Sequence, residues 1–332
     1  VRKFYLSKHK AFVLFLCYKD VVNKRLQILQ REWLMDMSIH WGDFVTEQTT
    51  SYGELVLGVD PVLEDIPLFF KKAARSATEI LEKYVLFLLD VAADQVGFVK
   101  FQSAFFEAFG SKGIDVLAQG ISLAKKRNMG VILDAKRGDI GTTAAAYARA
   151  YLTPVKAGSV SNLEVDCLVI NPFLGPDTLE PFINCARKYG KGLFVLVKTS
   201  NPGAGWLQDK VVDGTRVSDR IAKLVADWAA ETQGKTGLSS VGAVVGATFP
   251  EDGERLRNLM PNSVILAPGI GPQGGKAEDI RVLRRQNSSG VLVSVSRGIT
   301  KVDDSNLSEE DYATLVRKRI ESFQKSLNTL DR

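Results

Sequence analysis

Eight short runs of β-branched and apolar residues, each followed by an amphipathic stretch, constrain this chain more than any other feature. They span 55–60 (LVLGVD), 96–101 (VGFVKF), 130–135 (GVILDA), 166–171 (DCLVIN), 192–199 (GLFVLVKT), 241–247 (VGAVVGA), 263–267 (SVILA) and 290–296 (GVLVSVS). Runs of this length that are apolar on both faces fit a parallel sheet covered by helices. Eight βα units favour an α/β fold closed into a (β/α)8 TIM barrel over an open, doubly wound sheet. The longest helical stretches are expected at 66–90 and 215–233. A last one at 308–328 has Ser308 as its N-cap and Glu309–Glu310 in its first turn.

The 332 residues are 45% hydrophobic and 24% charged, enough to bury a full core. A formal net charge of +5 is spread along the chain without a basic block interleaved with aromatics. That argues against nucleic-acid binding and suits an anionic metabolite. The three cysteines, Cys17, Cys167 and Cys185, are odd in number and form no CxxC pair. They read as free thiols of a reducing cytoplasm. Histidine is the most useful exclusion. Only His9 and His40 occur, so residues 41–332 cannot build a Ser-His-Asp triad, a Cys-His pair or a multi-histidine metal site. Chemistry in the barrel must therefore use Lys, Asp, Glu, Arg or hydroxyl groups.

Residues 1–36 read differently from the rest. Arg2, Lys3, Lys8 and Lys10 precede an apolar run at 11–18 (AFVLFLCY), which resembles the start of a signal peptide. No small-residue cleavage site follows, and the run is too short to span a bilayer. Met35 and Met37 each offer a chain start just before the barrel. The expectation is an extension at 1–36 outside the fold and a single barrel domain at 37–332. A packing or partner helix and a membrane-targeting segment are the alternatives for 1–36.

The active site of such a barrel lies at the C-terminal ends of its strands. There the sequence places Asp60 after strand one, Lys100 on strand two, and Asp134, Lys136 and Asp139 (DAKRGD) after strand three. Strand periodicity puts Asp134 and Lys136 on one face, with Lys100 approaching from the neighbouring strand. Interleaved ammonium and carboxylate groups keep one another charged. Such an array can press a fixed negative charge on a substrate carboxylate while offering a proton where a carbanion develops. The bland alternative is a strand-end salt bridge, since D-x-K-x-x-D is a short pattern. The RGD within it also matches an adhesion tripeptide, a poor fit for a chain with no clear secretion signal.

GIGPQGG (269–275) follows strand seven and Arg297 follows strand eight, the usual phosphate cradle of this fold. Glycines let backbone N–H groups approach an anion and Arg adds a forked contact. Gly274, Gly275, Arg297 and Gly298 are the expected phosphate loop; tight turns alone are the alternative. GIGPQG is formally a dinucleotide fingerprint, but it lies in the seventh unit and the next strand ends in Ser296–Arg297, not an acid. The stretch 200–214 (SNPGAGWLQDKVVDG) reads as a mobile lid or, equally, an ordinary surface loop.

LDAKRGDIGTTAAAYA (133–148), with VKFQSAFFE (99–107), VINPFLG (169–175), KTSNPGA (198–204) and APGIGPQGG (267–275), resembles the orotidine 5′-phosphate decarboxylase family, in its bacterial-type subgroup with a long lid. The resemblance runs over about 37–328 with the motifs in family order. It implies loss of CO2 from orotidine 5′-phosphate to give UMP, without metal or cofactor, in a cytoplasmic homodimer. It also implies the roles. Lys136 protonates C6, Asp134 sits beside the departing carboxylate, and Lys100 and Asp139 complete the array. Asp60 and Lys100 hold the ribose hydroxyls. Ser200 meets the pyrimidine edge, Gln273 bridges base and phosphate, and Arg297 holds the phosphate. Asp139 and Thr143 reach into the partner's pocket, and Gln102 and Asn171 lie on the ribose side or behind it. Two departures stand out: residues 1–36 have no counterpart, and Phe101 replaces a frequent proline.

Two rival readings remain at this level. Sugar-phosphate decarboxylases of the same superfamily share D-x-K-x-x-D but use Mg²⁺ held by an acid at the strand-two position, where this chain has Lys100. A non-catalytic nucleotide-binding or scaffold protein is the other.

Overall fold

The computed structural model describes residues 39–247, 250–270, 275–285, 290–302 and 307–329. The expectations for 1–36, for Cys17, and for Gln273 and Gly274 fall outside these. Eight parallel strands close into a barrel: β1 (Leu55–Val59), β2 (Phe98–Gln102), β3 (Gly130–Arg137), β4 (Cys167–Ile170), β5 (Gly192–Lys198), β6 (Val241–Val245), β7 (Ile265–Pro268) and β8 (Val291–Val295). Each strand pairs with its sequence neighbours and β8 closes on β1. The fold is the (β/α)8 barrel that the eight runs predict, with strand ends displaced by one or two residues.

Register sorts the side chains. Val56 pairs with Phe98 and Ser294, Gly58 with Lys100, Lys100 with Ile132, and Gln102 with Asp134. Because parallel partners point the same way, Val56, Phe98 and Ile132 fill the interior while Asp60, Gln102 and Asp134 end in its mouth. Intervening residues such as Leu57, Val99 and Leu133 face the helices and build the larger core. The interior core (Val56, Phe98, Ile132, Cys167, Val169, Phe194, Leu292) is stoppered at the opposite end by Trp41 and Phe44. These belong to α1 (Trp41–Tyr52), a helix the strand pattern does not announce. Its indole lies so close to Gly192 that a Cβ there would sit 2.5 Å from the ring.

Among the outer helices, α2 (Leu68–Lys72) and α3 (Ala77–Ala92) occupy the stretch expected as one helix at 66–90. The break follows from Ser76, whose hydroxyl accepts from the Glu79 N–H, while the Glu79 carboxylate accepts from the Arg75 N–H. This local capping competes with helix continuation. The barrel layer continues with α4 (Ser103–Glu107), α5 (Gly110–Lys126), α6 (Gly141–Leu152), α7 (Glu180–Tyr189), α8 (Val217–Glu231), α9 (Pro250–Leu259), the short α10 (Arg297–Thr300) and α11 (Glu309–Asn328). Ser308 caps α11 through the Asp311 N–H, as its sequence predicts. Cys167 is buried and Cys185 half-buried, both as free thiols.

Candidate active site

A cavity of about 270 Å³ opens at the C-terminal ends of the strands, lined by Asp60, Lys100, Gln102, Asp134, Lys136, Ser200 and Arg297, among others. Four of these form an alternating row. The Lys100 ammonium lies 3.9 Å from Asp60 Oδ1 and 3.3 Å from Asp134 Oδ2; Lys136 Nζ lies 2.5 Å from Asp134 Oδ1. Gln102 Nε2 also donates to Asp134 Oδ2, at 3.3 Å. The row is graded in burial. Side-chain exposure is 6% for Lys100, 13% for Asp134 and 44% for Lys136, so the outermost charge is an ammonium that is paired with Asp134 yet open to the cavity.

Burial works against both inner charges, yet each partner outweighs it. Asp60 and Asp134 hold the Lys100 ammonium above the ordinary lysine value. Lys100 and Lys136 hold the Asp134 carboxyl below the ordinary carboxylate value. The two ammonium groups therefore favour the ionised form of Asp134 in a place where burial opposes it. A ligand carboxylate brought next to it meets a fixed negative charge.

The route by which Lys136 reaches Asp134 differs from strand periodicity. Between Leu133 and Arg137 the register against β4 shifts, so that four residues of advance on β3 meet two on β4. Lys136 itself adopts φ +47°. For a non-glycine residue the left-handed region costs about 1–3 kcal/mol and marks a place held by its surroundings. The bulge, not simple alternation, turns the ammonium back over the mouth.

At the end of the strand that pairs with β1, Arg297 and Gly298 follow β8 at the start of α10, and Gly275 bridges to Ile270 beside the cavity. Four expected residues, Gly275 among them, lie outside the cavity lining. Asp139 uses Oδ1 to accept from the Ile140 N–H, Thr143 is exposed on α6, and Asn171 Oδ1 accepts from the Phe173 N–H. Thr199, Asn201, Ser294 and Ser296 line the cavity without having been singled out, as do Leu196, Val244 and Leu266 beneath them. A hydroxyl at an interior-facing strand position is the only signal the sequence offered for Ser294.

Lys198 was also unforeseen. By alternation it would point into the mouth, but β5 carries a register shift against β6 between Leu196 and Lys198. Its ammonium instead pairs with Asp209 of the 200–216 loop and, at 3.5 Å, with Asp252 of α9. The Gln208 amide and Thr199 bond each other alongside it, at 2.9 Å. The loop holds a two-stranded ribbon, Val211–Val212 with Thr215–Arg216, turned at Asp213–Gly214, both at positive φ. The loop is thus clasped to the barrel at Asp209, while Trp206, Val211 and Val212 are exposed.

Among the described residues no group of three His, Cys, Asp or Glu side chains converges as a metal site, and no helix is long and apolar enough to cross a membrane.

Known proteins resemble this chain in sequence and in fold. The model of the orotidine 5′-phosphate decarboxylase / HUMPS family matches residues 54–310. An orotidine 5′-phosphate decarboxylase from Caldicellulosiruptor bescii is 40% identical over 255 residues, 74% of this chain and 84% of the relative. One from Rhodopirellula baltica is 42% identical over 248 residues, 73% of this chain and 82% of its own. The solved structure of Leishmania donovani OMP decarboxylase superposes with a TM-score of 0.68 at 27% identity, over 87% of this chain and all of that one.

Proposed function

This chain belongs to the orotidine 5′-phosphate decarboxylase / HUMPS family, and from that premise we propose that its cavity converts orotidine 5′-phosphate to UMP with Lys136 as proton donor and no metal or cofactor. The enzyme class is a carboxy-lyase of pyrimidine biosynthesis. The observation that carries the assignment of roles is the row Asp60–Lys100–Asp134–Lys136, with Arg297 lining the same cavity.

In this reading the phosphate binds between Arg297, Gly298, Gly275, Gly274 and Gln273, and the 200–216 loop covers it. Binding energy gathered at that end holds the pyrimidine carboxylate against ionised Asp134, which a free ligand would avoid. The bond from C6 to the carboxylate carbon then breaks. CO2 leaves toward Leu196, Val244 and Leu266, and the electron pair stays on C6. Lys136 gives its proton to C6, and the neutral amine regains one from solvent. Lys100 and Asp60 hold the ribose hydroxyls, with Gln102 and Asn171 behind them, and Ser200 meets the pyrimidine edge.

Asp139 and Thr143 are assigned to the partner's pocket in a homodimer. Their place outside the chain's own cavity supports this, with Thr143 exposed and Asp139 half-buried, as does the exposed apolar surface of Ile140, Phe173 and Leu174 on the adjoining loops. The same proposal places the enzyme in the cytoplasm, with residues 37–332 as the decarboxylase domain and 1–36 as an extension.

The test follows the loss of orotidylate ultraviolet absorbance in EDTA. Wild type is expected to turn over, and Lys136→Ala to lose about a thousandfold or more in kcat. Turnover abolished by EDTA would favour a metal-dependent sugar-phosphate decarboxylase. UMP binding without turnover would favour a non-catalytic nucleotide binder.

A further inference from the structure

We propose that Arg137, which does not line the cavity, is the positioning residue that holds the proton-donating lysine in its left-handed backbone conformation. Lys136 sits between two held carbonyls, those of Ala135 and Arg137, and the Arg137 side chain supplies the first of these contacts. On the preceding side, Arg137 Nη1 donates to the Ala135 carbonyl at 3.2 Å. On the following side, the Arg137 carbonyl accepts from the Asn171 N–H at 2.8 Å. The guanidinium thus grips the carbonyl that precedes Lys136, while main-chain pairing with Asn171 holds the bulge beyond it.

The anchor for that grip lies away from the cavity. Arg137 Nη2 bonds the Glu107 carboxylate and reaches the Tyr151 hydroxyl at 3.4 Å. Its guanidinium lies 5.5 Å from the ring centre of Tyr147 and 5.9 Å from that of Tyr151, and the two rings are nearly parallel. Glu107 is in turn fixed by the Ser103 hydroxyl, which is buried at the start of α4. The bulge is therefore tied to α4, directly after the strand that carries Lys100 and Gln102, and to α6. A forked, planar cation can serve an anionic oxygen, a carbonyl and two ring faces at once; an ammonium cannot. Gly138 completes the turn, since a Cβ there would lie 2.7 Å from the Asn171 carbonyl oxygen.

Without this clamp the chain around Lys136 has every reason to relax to an ordinary extended bulge, which swings Nζ away from Asp134 Oδ1. The inference rests on Lys136 being the donor for its kinetic consequence, but its structural consequence stands apart from any assignment of activity. Arg137→Met keeps the stem over the tyrosine rings and removes the fork; Arg137→Lys restores one charged donor.

The experiment combines crystal structures of both variants with kcat, KM and the dissociation constant of UMP. Arg137→Met is expected to leave the left-handed region at residue 136, to break the 2.5 Å contact between Lys136 and Asp134, and to lose about 100-fold in kcat. UMP affinity changes by less than about threefold, because the phosphate wall is untouched. Arg137→Lys recovers part of the loss. An Arg137→Met structure with residue 136 unchanged overturns the proposal, whatever the reaction is. So does a kcat that falls only in parallel with UMP affinity. An inactive wild type instead sinks the decarboxylase reading alone, and the structures still decide the role of Arg137.

Discussion

Replacing Lys100 with methionine probes the electrostatics of the cavity at its most buried charge. The ammonium serves two carboxylates, at 3.3 and 3.9 Å. At an effective dielectric near 20 these contacts are worth about 5 and about 4 kcal/mol. Desolvating the buried ammonium costs several kcal/mol against them. Methionine fills the space, so no cavity penalty confuses the result. What remains is the cost of leaving the partners behind. Asp60 Oδ1 is buried and loses its neighbouring charge, whereas Asp134 keeps Lys136 at 2.5 Å. Breaking a buried pair typically costs 3–5 kcal/mol, and the retained Lys136 contact places this case near the lower end, about 3 kcal/mol at pH 7.5. The deficit must also depend on pH. With Lys100 gone, the folded variant binds a proton on its carboxylates more readily than folded wild type does, so its loss of stability shrinks as pH falls. Urea unfolding of both proteins at pH 7.5 and pH 5, compared at equal m values, measures this. A variant as stable as wild type at pH 7.5, or equally deficient at both pH values, would refute the reasoning.

Two further outcomes follow. Burial alone would raise Asp134, Glu107 and Glu164, but Lys100 and Lys136 hold Asp134 down, Ser103 and Arg137 hold Glu107 down, and Lys191 and Lys125 hold Glu164 down. Carboxylates lowered in the folded state contribute stability above the unfolded values and lose it as pH falls through the folded ones. Unfolding temperature should therefore hold down to the ordinary carboxylate range of 3.8 to 4.5 and fall steeply below it; a decline that begins near pH 6 contradicts this. In the 200–216 loop, Asp209→Asn weakens the clasp to Lys198 while Asp252 remains. KM for orotidine 5′-phosphate should rise about tenfold with the fold intact, and an unchanged KM removes the loop from the binding step.

Much of this molecule is written locally. Strand runs that are apolar on both faces allow little but a helix-covered parallel sheet, and eight of them allow little but closure. Ser308 predicts its own cap because capping involves residues three apart. Asp60, Lys100, Asp134 and Arg297 could be named because strand ends point at the mouth of any such barrel, and register then only had to bring them within a few ångströms.

The tertiary structure decided everything that depended on register shifts and distant partners. Alternation predicts that both Lys136 and Lys198 face the mouth. Bulges in β3 and β5 take one there by a left-handed turn and send the other to Asp209 and Asp252. Trp41 became a stopper only because Gly192, about 150 positions along the chain, leaves room for an indole. Sequence fixes which side chains a segment can present. Where the chain slips is set by neighbours brought close only by folding: the one-residue slip in β5 reverses the face on which Lys198 emerges, whereas the two-residue slip in β3 keeps Lys136 at the mouth.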